Sequence, residues 1–567
     1  MKNQLVSSIL NEVADLMEMD SVDFRTKAYR RAAHTVEIQS EAIEDIRKEG
    51  KLMELPGVGA KIAKKIEEII DTGSLEYLEN LKREFPVDYD QLMTVEGLGP
   101  KSIRQLYQEL GVKTLDDLEK QAKNHHIRRL KGMGEKTERN ILINLGFARK
   151  TGGRFLLGRI LPVAREIKDL LKTLEYVDRV EIAGSIRRMK ETVGDIDVLV
   201  TTTKPIKVMD FFTQMEMVDD VVVSGPTKST VRLKETGIDV DIRTFEDESF
   251  GSALMYFTGS KETNVELRRI AISLGYKLNE YGVFNSDELV AGTTEKEVFN
   301  SLGMDYVEPE LRENTGEIMA AIDGTLPELV ELKQIKGDLQ MHTNWSDGKN
   351  SIEELALEAQ KMGYEYIAIT DHSTDIKSSM SRDERVIKKQ MDEIDSVNRK
   401  LDGLTVLKGV EANIDSYGYL DVPDKILEEM DIVIAGIHSG FKQNKHEITR
   451  RMLAAIKNEQ VNIISHPTGR EIQGRRGYEL EFERIFEAAN DNKTMLEINS
   501  RMNRLDLNDM HIKQAVEHGV KLVVNTDAHS IKELANMELG VGTARRGWAK
   551  EKDIINTLNL KELLSYL

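Results

Sequence analysis

The chain has 567 residues, of which 40% are hydrophobic and 31% are charged, with a formal net charge of −19 and no cysteine. A chain of this length has room for about three or four domains, and the absence of cysteine excludes disulfides and thiolate metal sites. No segment is long and apolar enough to span a membrane, and residues 1–10 lack the features of a secretory signal. We therefore expect a cytoplasmic protein that does not bind membranes.

Charge and histidine are distributed unevenly. Residues 1–150 contain 25 Lys+Arg and 26 Asp+Glu, so nearly all of the net negative charge lies later in the chain. The first part is therefore able to present basic faces to a nucleic acid. Eight of the eleven histidines follow residue 336, and none lies between 151 and 335. This concentration suggests a separate, histidine-based metal chemistry near the C-terminus.

Three short glycine hairpins interrupt the helical segments of the first 150 residues. They span residues 55–61, 95–101 and 130–136 and share a Gly-x-Gly core. Such a turn exposes backbone N–H groups at the start of a helix, which suits a DNA phosphate but does not read base sequence. One hairpin alone is as consistent with a plain helix–helix turn, but the repetition favours helix-hairpin-helix DNA binding. The candidate DNA contacts are Gly57, Gly59, Gly97, Gly99 and Lys101.

The segment 184–197 combines a glycine turn, a cationic pair and two carboxylates. Asp195 and Asp197 are followed by the apolar run 198–200, which predicts a buried strand. Residues two apart on a strand share one face, and two neighbouring carboxylates are best explained by divalent cations. Upstream residues supply backbone amides and positive charge suited to a polyphosphate: Gly184, Ser185, Arg187 and Arg188. The full spacing predicts nucleotidyl transfer.

Beyond residue 150, predicted strands alternate with helices. The strands before residue 310 include 180–183 and 238–242, and a charged stretch from 308 to 337 leads to a last domain. From residue 337 onward, short apolar runs carry His, Asp or Glu at their C-terminal ends: 366–370, 431–436, 461–465, 495–499 and 522–525. This arrangement predicts a βα barrel with its chemistry at the C-terminal rim of the strands.

The last domain carries an ordered set of potential metal ligands. A single histidine is more often a packing or surface residue, but this set recurs at strand ends. Mixed imidazole and carboxylate donors suit Mn²⁺, Zn²⁺ or Fe²⁺, and a bridging glutamate suits a multinuclear centre for phosphoester hydrolysis. The candidates are His342, Asp347, His372, Glu411, His438, His466, Asp527 and His529.

Together with Asp241 on a neighbouring predicted strand, segment 184–197 resembles the palm of family X DNA polymerases, the family of DNA polymerase beta. The resemblance continues through residues 256–260, Asn264, Arg268 and 275–281, and it covers roughly residues 20 to 310. It implies a multidomain α/β protein with all-α helix-hairpin-helix domains and a nucleotidyltransferase palm with a thumb.

The resemblance also implies roles for individual residues. Asp195, Asp197 and Asp241 would hold two Mg²⁺ ions that activate the primer 3′-hydroxyl and stabilise pyrophosphate. The resemblance, and not the spacing, selects Asp241 over Asp239. Ser185 and Arg188, with Arg187 nearby, would contact the triphosphate. Tyr256, Phe257 and Gly259 would line the sugar pocket. Asn264 would reach the incoming base, and Arg268 would reach the template strand. Without the surrounding motif, Tyr256 and Phe257 would be assigned to core packing.

The N-terminal segment resembles the small deoxyribose-phosphate lyase domain of the same family. The matching residues are 28–33 and the helix that contains Lys61 and Lys65. The resemblance implies a Schiff-base role for Lys65 and 5′-phosphate contacts from Lys61 and Tyr29. A lysine nucleophile needs a lowered pKa, and Lys64 is an adjacent alternative.

Residues 336–567 resemble the polymerase-and-histidinol-phosphatase (PHP) domain of bacterial family X polymerases, which implies Mn²⁺-dependent 3′–5′ exonuclease or phosphoesterase activity. The motif usually begins His-x-His, but this chain has Gln340 before His342. A glutamine amide is a weaker ligand for such a metal. Either the remaining ligands still support hydrolysis, or the domain is a scaffold for the polymerase; we favour weakened or lost activity.

We therefore predict a DNA polymerase that fills short gaps in base excision repair and acts as a monomer on gapped or primer–template DNA with dNTPs. Mg²⁺ would serve the polymerase site, and Mn²⁺ or Zn²⁺ the PHP site. The alternatives are a polymerase with a degenerate PHP domain, a non-catalytic gap-binding repair scaffold, and a template-independent transferase. The predicted domains are 1–80 (lyase-like), 81–150 (helix-hairpin-helix), 151–250 (palm), 251–310 (nucleotide-selecting), 311–335 (linker) and 336–567 (PHP).

Overall fold

The computed structural model describes residues 3–19, 23–37, 43–93, 95, 98–135, 137–142, 145, 153–375, 380–381 and 384–567. These form two compact units. The first contains Met1–Phe155, Leu174–Glu181 and Asp197–Tyr306, and the second contains Leu156–Thr173, Ile182–Ile196 and Val307–Leu567. Within the described ranges, no helix has the length and apolar character needed to cross a bilayer.

The N-terminal part of the first unit is helical, as its periodic apolar pattern predicts. Its helices bury one apolar face each, and side chains such as Leu10, Ile66 and Leu106 form a common core. Gly73 and Gly111 end two helices with a positive φ. The helices are Asn3–Met19, Asp23–Glu37, Ile43–Lys48, Ala60–Thr72, Glu76–Glu84, Tyr89–Met93, Pro100–Leu110 and Leu115–Lys123, with short 3₁₀ turns at Leu52–Glu54 and Ile127–Arg129.

A five-stranded sheet follows in the polymerase-like region. In spatial order, its strands are Val177–Ile182, Asp195–Thr202, Asp239–Phe245, Lys228–Leu233 and Val218–Ser224. The predicted strands 180–183, 198–200 and 238–242 are confirmed, with bounds shifted by a few residues. Further helices of the first unit are Pro205–Thr213, Phe250–Thr258, Lys261–Ser273 and Glu295–Ser301, and a small antiparallel sheet contains Lys277–Asn279, Gly282–Asn285 and Glu288–Ala291.

The second unit contains the predicted barrel, which is confirmed. Seven parallel strands are neighbours in chain order: Gly337–Met341, Tyr366–Ile369, Thr405–Asn413, Ile432–Gly436, Ile463–Ile464, Met495–Asn499 and Leu522–Asn525. The first and last strands nearly close the sheet, because the backbone N–H of His342 donates to the Ala528 carbonyl at 2.8 Å. One apolar cluster includes Leu339, Leu407 and Ile434, and a larger one packs the strands against the helices.

The barrel helices are Ile352–Lys361, Glu384–Asn398, Asp424–Leu427, Lys445–Ile456, Phe482–Asn492, Asp509–Glu517, Met537–Arg546 and Leu560–Tyr566. Several begin with a capping box; Ser351, Asn444 and Asn559 each accept from the backbone N–H three residues later. The same unit contains Leu157–Lys172 and Gly184–Arg187. Short strands lie at Phe155–Leu156, Thr192–Val193, Thr374–Asp375 and Met380–Ser381.

The stretch predicted as a linker, 311–335, contains ordered structure. Helix Glu317–Ile322 lies within it, and the side chains of Arg312 and Glu317 are fully buried. Arg312 Nε donates to the Val307 carbonyl at 2.9 Å, and Glu317 accepts from the backbone N–H groups of Asn314 and Thr315 at 2.7 Å each. Buried charged groups need such partners, so this segment is part of the second unit's packed interior.

Candidate active sites

A short helix, Gly184–Arg187, carries the residues predicted to bind a polyphosphate. Gly184 is buried and has φ +63°, a conformation that favours glycine. Ser185 and Arg187 lie on this helix and are partly exposed, while Arg188 ends it. A tight turn of this kind directs consecutive backbone N–H groups towards one side, the arrangement expected of an anion-binding nest.

The Arg188 side chain is held by an ionic network within the second unit. Its Nε lies 3.0 Å from Glu313, and the same carboxylate is 3.0 Å from Arg546 on helix Met537–Arg546. Arg546 also donates to the Arg188 carbonyl at 2.8 Å and pairs with Asp509. The surrounding cations outweigh burial and lower the pKa of Glu313, so it remains charged. None of these partners was expected from the sequence, because they are far from Arg188 along the chain.

Asp195 and Asp197 lie on strand Asp195–Thr202, two residues apart as predicted. Asp195 is exposed and Asp197 is partly exposed, while Ile196 and Val198 between and after them are buried. This alternation places both carboxylates on the less buried side of the strand. Among the described residues, two groups of at least three His, Asp or Glu side chains have their ligand atoms within 4.8 Å of one another. Both groups lie in the barrel, and Asp195, Asp197 and Asp241 do not form a third.

Asp241 lies on the strand next to Asp195–Thr202 in the sheet, and its surroundings differ from those of Asp239. Asp241 accepts from Thr230 Oγ1 at 2.5 Å and lies 3.1 Å from Lys228 Nζ and 3.5 Å from an Arg243 nitrogen. Asp239 is paired through two hydrogen bonds with Arg232, at 3.0 and 3.2 Å. A carboxylate engaged by an arginine fork is a poor metal ligand, so the structure supplies a distinction that the spacing could not.

The predicted sugar pocket lies at the end of helix Phe250–Thr258. Tyr256 and Phe257 are partly exposed, with ring centroids 5.1 Å apart, and Gly259 ends the helix with φ +72°. Asn264 is buried, and its Nδ2 donates to the Tyr256 carbonyl at 2.7 Å. Within the described part of the chain, its Oδ1 has no hydrogen-bond partner. Arg268 Nε donates to the Asn264 carbonyl at 3.2 Å, and burial lowers the pKa of Arg268. These side chains form one connected group within the first unit.

The first two glycine hairpins begin helices as predicted. Gly59 and Gly99 are the N-caps of Ala60–Thr72 and Pro100–Leu110, and Lys61 and Lys101 are exposed on the first turns. Gly57 has φ +88°, and a Cβ there would lie 2.8 Å from Arg31 Cγ, so this position favours glycine twice over. Gly97 lies outside the described residues, as does Lys136 of the third hairpin.

Lys65 is distinguished from Lys64 by its environment. Lys64 is exposed, whereas Lys65 is partly buried with its Nζ 3.7 Å from the centroid of the Tyr77 ring. The Tyr77 ring also stacks with the ring of Tyr29, which is buried; the two ring centroids lie 6.4 Å apart. Burial lowers the pKa of Lys65, which raises the fraction of neutral, nucleophilic amine. Tyr77 was missed by the sequence analysis, because nothing local links it to Lys65.

The eight predicted barrel ligands come together at one site. Glu411 is buried at its centre: one carboxylate oxygen lies 3.1 Å from His372 Nδ1 and 3.5 Å from His342 Nε2, and the other lies 3.2 Å from both His438 and His466. A second group of contacts surrounds Asp347, which lies 3.1 Å from His529 and 3.8 Å from both His342 and His372. Asp527 joins this group, at 3.1 Å from His342 and 3.7 Å from His529. A bridging carboxylate between imidazoles fits two or more Mn²⁺ or Zn²⁺ ions.

The charges of the site set the protonation of its histidines. Burial alone would lower the pKa of His342, but the Asp527 and Glu411 carboxylates outweigh burial and raise it to about 9. Burial, helped by the neighbouring imidazoles, lowers the pKa of His372 to about 4. The two carboxylates therefore favour the protonated form of His342 when no ion is bound. A metal ligand must be deprotonated, so an ion bound at His342 would have to displace that proton.

Gln340 precedes these ligands on strand Gly337–Met341, where the strand register shifts between Asp338 and Met341. Its side chain is fully buried, and neither its amide oxygen nor its amide nitrogen has a hydrogen-bond partner among the residues that the structure describes. Leaving a buried amide unpaired costs about 1–3 kcal/mol. Such an orphaned group is consistent with a position that contacts an ion, since a metal would engage the free oxygen.

Some residues of the site were not expected from the sequence. Glu497 is fully buried and accepts from the His466 backbone N–H at 2.7 Å, and its pKa is raised well above the usual value by burial and by the Asp527 charge. Arg501 and Arg504 lie 3.8 and 3.9 Å from Asp527. Glu497 lies within a predicted apolar strand and was not selected as a ligand, and the arginines follow that strand in a loop.

The helical hairpins, the five-stranded sheet with its Asp-x-Asp strand, and the histidine-rich barrel correspond to the class of DNA polymerases that carry a PHP domain. Known families match the helical region, the segment after the sheet and the barrel. Residues 1–75 match a helix-hairpin-helix domain, 89–146 a SAM-like helix-hairpin-helix tandem, 253–313 the DNA polymerase beta thumb, and 338–501 a PHP domain.

A full-length relative specifies the family. The chain is 39% identical over 563 residues to the DNA polymerase/3'-5' exonuclease PolX of Bacillus subtilis (strain 168), covering 99% of this chain and 98% of that protein. The chain therefore belongs to the PolX-type family X DNA polymerases. A probable phosphatase of Caldicellulosiruptor bescii is 32% identical over 205 residues, covering 34% of this chain and 78% of that protein.

A solved structure of Leishmania infantum polymerase beta, a ternary primer/template complex, also resembles part of the chain. The two sequences are 24% identical, and the match covers 39% of this chain and 96% of the polymerase beta chain, with a TM-score of 0.33. A score this low adds nothing to the family assignment.

Proposed function

We propose that this protein is a template-directed DNA polymerase that fills short gaps during base excision repair. The observation that carries the proposal is the end-to-end similarity to a protein named DNA polymerase/3'-5' exonuclease PolX. Its partners would be gapped or primer–template DNA and dNTPs, and it would act as a monomer in the cytoplasm. Extension into a one-nucleotide gap tests the proposal; extension of a single-stranded primer instead would identify a template-independent transferase.

We assign the polymerase chemistry to Asp195, Asp197 and Asp241, which would hold Mg²⁺. When bound there, Mg²⁺ would lower the pKa of the primer 3′-hydroxyl and stabilise the leaving pyrophosphate. The exposed Asp195 and the cation-flanked Asp241 support this role, because a metal can replace Lys228 and Arg243 as the compensating charge. The residues that would bind the nucleotide are Gly184, Ser185, Arg187, Arg188, Tyr256, Phe257, Gly259, Asn264 and Arg268.

The helical region would hold the DNA. We assign Gly57, Gly59, Lys61, Gly97, Gly99 and Lys101 to backbone contacts with DNA phosphates, with residues 1–80 as a lyase-like domain and 81–150 as a second helix-hairpin-helix domain. The helix starts at Ala60 and Pro100 support this, because the first N–H groups of an α-helix have no carbonyl partner within the helix. In the second helix these groups begin at Lys101, since proline has no N–H. The palm would span 151–250, the nucleotide-selecting subdomain 251–310 and the PHP domain 336–567.

We assign the barrel to 3′–5′ exonuclease or phosphoesterase chemistry with Mn²⁺ or Zn²⁺. The shared contacts of Glu411 with four histidines support a multinuclear centre, which would orient the scissile phosphate and activate a water. Arg501 and Arg504 add positive charge beside Asp527 for a phosphodiester. A polymerase with a catalytically degenerate barrel is the competing function, and the single observation that favours it is Gln340 in place of histidine.

Gln340→His is expected to raise Mn²⁺-dependent nuclease activity by about tenfold or more, because an imidazole nitrogen is a better donor than an amide oxygen. The measurement is the shortening rate of a 5′-labelled primer with an unpaired 3′ end, together with the number of Mn²⁺ ions bound in titration calorimetry. Gln340→Met, which keeps a similar length but offers Mn²⁺ only a weak thioether donor, is the control and should not raise the activity. Unchanged rates and unchanged Mn²⁺ binding in Gln340→His would show that this position does not limit the site.

Deoxyribose-phosphate lyase activity is expected to depend on Lys65. Borohydride should trap a covalent adduct between the protein and a 5′-deoxyribose-phosphate end. Lys65→Ala should abolish trapping, since burial lowers the pKa of the Lys65 amine and so raises its neutral, nucleophilic fraction. Lys64→Ala, which alters the adjacent exposed lysine, should trap as well as the unaltered protein. Equal trapping by the Lys65→Ala variant would remove Lys65 from this role.

A further inference from the structure

Two tyrosines project from a hairpin at the C-terminal end of the strand that carries Glu411. Strand Thr405–Asn413 continues into a hairpin closed by a bridge between Ile414 and Leu420. At its tip, Tyr417 is 74% exposed and Tyr419 is 73% exposed, more than any other large hydrophobic side chain in the described part of the chain. Isolated exposed hydrophobic residues are common, but two aromatic rings on one short turn beside a candidate active site need an explanation.

The hairpin backbone is rigidly organised. One carboxylate oxygen of Asp415 accepts from the backbone N–H groups of Tyr417, Gly418 and Tyr419, at 2.8, 2.8 and 2.9 Å. Beneath the hairpin, the fully buried Arg451 donates to the carbonyls of Ile414 at 2.6 Å and Asp415 at 2.7 Å. A turn held in this way presents its side chains at a low entropic cost of binding.

The base of the hairpin is joined to the backbone around the candidate metal ligands. Asn413 Oδ1 accepts from the His438 backbone N–H at 3.2 Å. Asp421 Oδ1 accepts from the Asn413 N–H at 2.9 Å and from Ser373 Oγ, next to His372, at 2.6 Å. The tyrosines therefore belong to the same rim of the barrel as Glu411, His372 and His438.

Positive charge accompanies the aromatic rings. Arg451 also donates to the Ser439 carbonyl at 3.1 Å and to Gln443 Oε1 at 2.6 Å, which holds the loop after His438 beside the hairpin. This loop carries the exposed Lys442, and the exposed Lys445 begins the helix that follows it. Aromatic rings with nearby cations match the chemistry of single-stranded nucleic acid, in which bases stack and phosphates need positive partners.

We propose that Tyr417 and Tyr419 form a stacking surface for the unpaired bases at the 3′ end of single-stranded DNA and guide that end to the barrel site. This rests on the proposed phosphoesterase function of the barrel. The tyrosines contribute binding energy to DNA alone, because they touch bases and not the reacting phosphate. A substrate without bases does not use them.

The test compares full-length Tyr417→Ala/Tyr419→Ala with the unaltered protein in Mn²⁺. The KM for a single-stranded oligonucleotide should rise about tenfold to a hundredfold with kcat unchanged, while hydrolysis of bis(p-nitrophenyl) phosphate stays the same. Tyr417→Phe/Tyr419→Phe should restore the KM, since phenylalanine keeps the ring. Met510→Ala, at a residue that is 58% exposed on a barrel helix, is the surface control.

A second readout does not depend on turnover. An oligonucleotide with 5-iododeoxyuridine at its 3′ end should photo-crosslink to the peptide containing Tyr417 and Tyr419. Crosslinks confined to other parts of the protein, with an unaltered KM, would overturn the proposal and favour a protein partner for this surface. If the unaltered protein hydrolyses neither substrate, the phosphoesterase function fails, and the position of the crosslink still decides whether the tyrosines bind DNA.

Discussion

Gap filling by the Asp197→Ala variant is expected to fall by about a thousandfold or more, which corresponds to about 4 kcal/mol of lost transition-state stabilisation. Asp197 lies on the less buried side of strand Asp195–Thr202, so its removal does not open a cavity in the core. The loss should therefore appear in the rate of nucleotide addition and not in the thermal stability. The measurement is single-turnover extension into a one-nucleotide gap with Mg²⁺.

Asp239→Ala is the matched control. Asp239 lies on the strand of Asp241, but it is paired with Arg232, at 3.0 Å, and we assign it no metal. We expect this variant to keep most of its extension rate. Full activity of Asp197→Ala, or a loss in Asp239→Ala as large as in Asp197→Ala, would contradict the assignment of the palm carboxylates. If Asp197→Ala loses gap filling but keeps Mn²⁺-dependent trimming, the gap filling of the unaltered protein is its own activity. That result would also exclude a non-catalytic gap-binding scaffold.

Glu411→Gln is expected to lower the rate of Mn²⁺-dependent shortening of an unpaired 3′ end by about a hundredfold or more. Gap filling should remain intact. Glu411 is 1% exposed and lies within 3.5 Å of His342, His372, His438 and His466. Glutamine has nearly the same shape but no charge, so the imidazoles lose the anion between them, and a metal held there would lose a carboxylate ligand. Titration calorimetry should show fewer bound Mn²⁺ ions.

The controls separate this site from the polymerase site. His438→Ala should behave like Glu411→Gln, whereas Asp195→Ala should trim normally without nucleotides. Glu481→Gln removes a partly exposed carboxylate of the barrel that is paired with Arg484 and should change neither activity. Trimming by Glu411→Gln at the unaltered rate would remove the barrel from the reaction. Absence of trimming even in the unaltered protein would support the polymerase with a degenerate barrel.

Much of the fold could be predicted from local patterns. Five of the seven barrel strands were recognised as short apolar runs with a polar or charged residue at or near their C-terminal ends, a composition typical of parallel strands buried on both faces. Gly337–Met341 and Thr405–Asn413 were not among them. The helix starts after Gly59 and Gly99 were recognised because a glycine turn before an apolar-periodic segment has few other uses. The connection between 308 and 337 was expected to be a linker because it is highly charged. Its buried Arg312 and Glu317 form hydrogen bonds with backbone groups that the pattern does not reveal.

The candidate sites divide in the same way. The order of the candidate ligands in the barrel and the Asp-x-Asp spacing could be predicted, because strand ends and the two-residue repeat of a strand are local properties. The three-dimensional contacts could not: Glu411 contacts four histidines, Asp239 is paired with Arg232, and the Lys65 Nζ lies over the Tyr77 ring. The burial of Gln340 with no hydrogen-bond partner among the described residues was equally unpredictable. Glu313 and Arg546, which hold Arg188, are separated from it by 125 and 358 positions. These partners meet because distant segments pack together and compensate each other's charge, and no local pattern encodes those contacts.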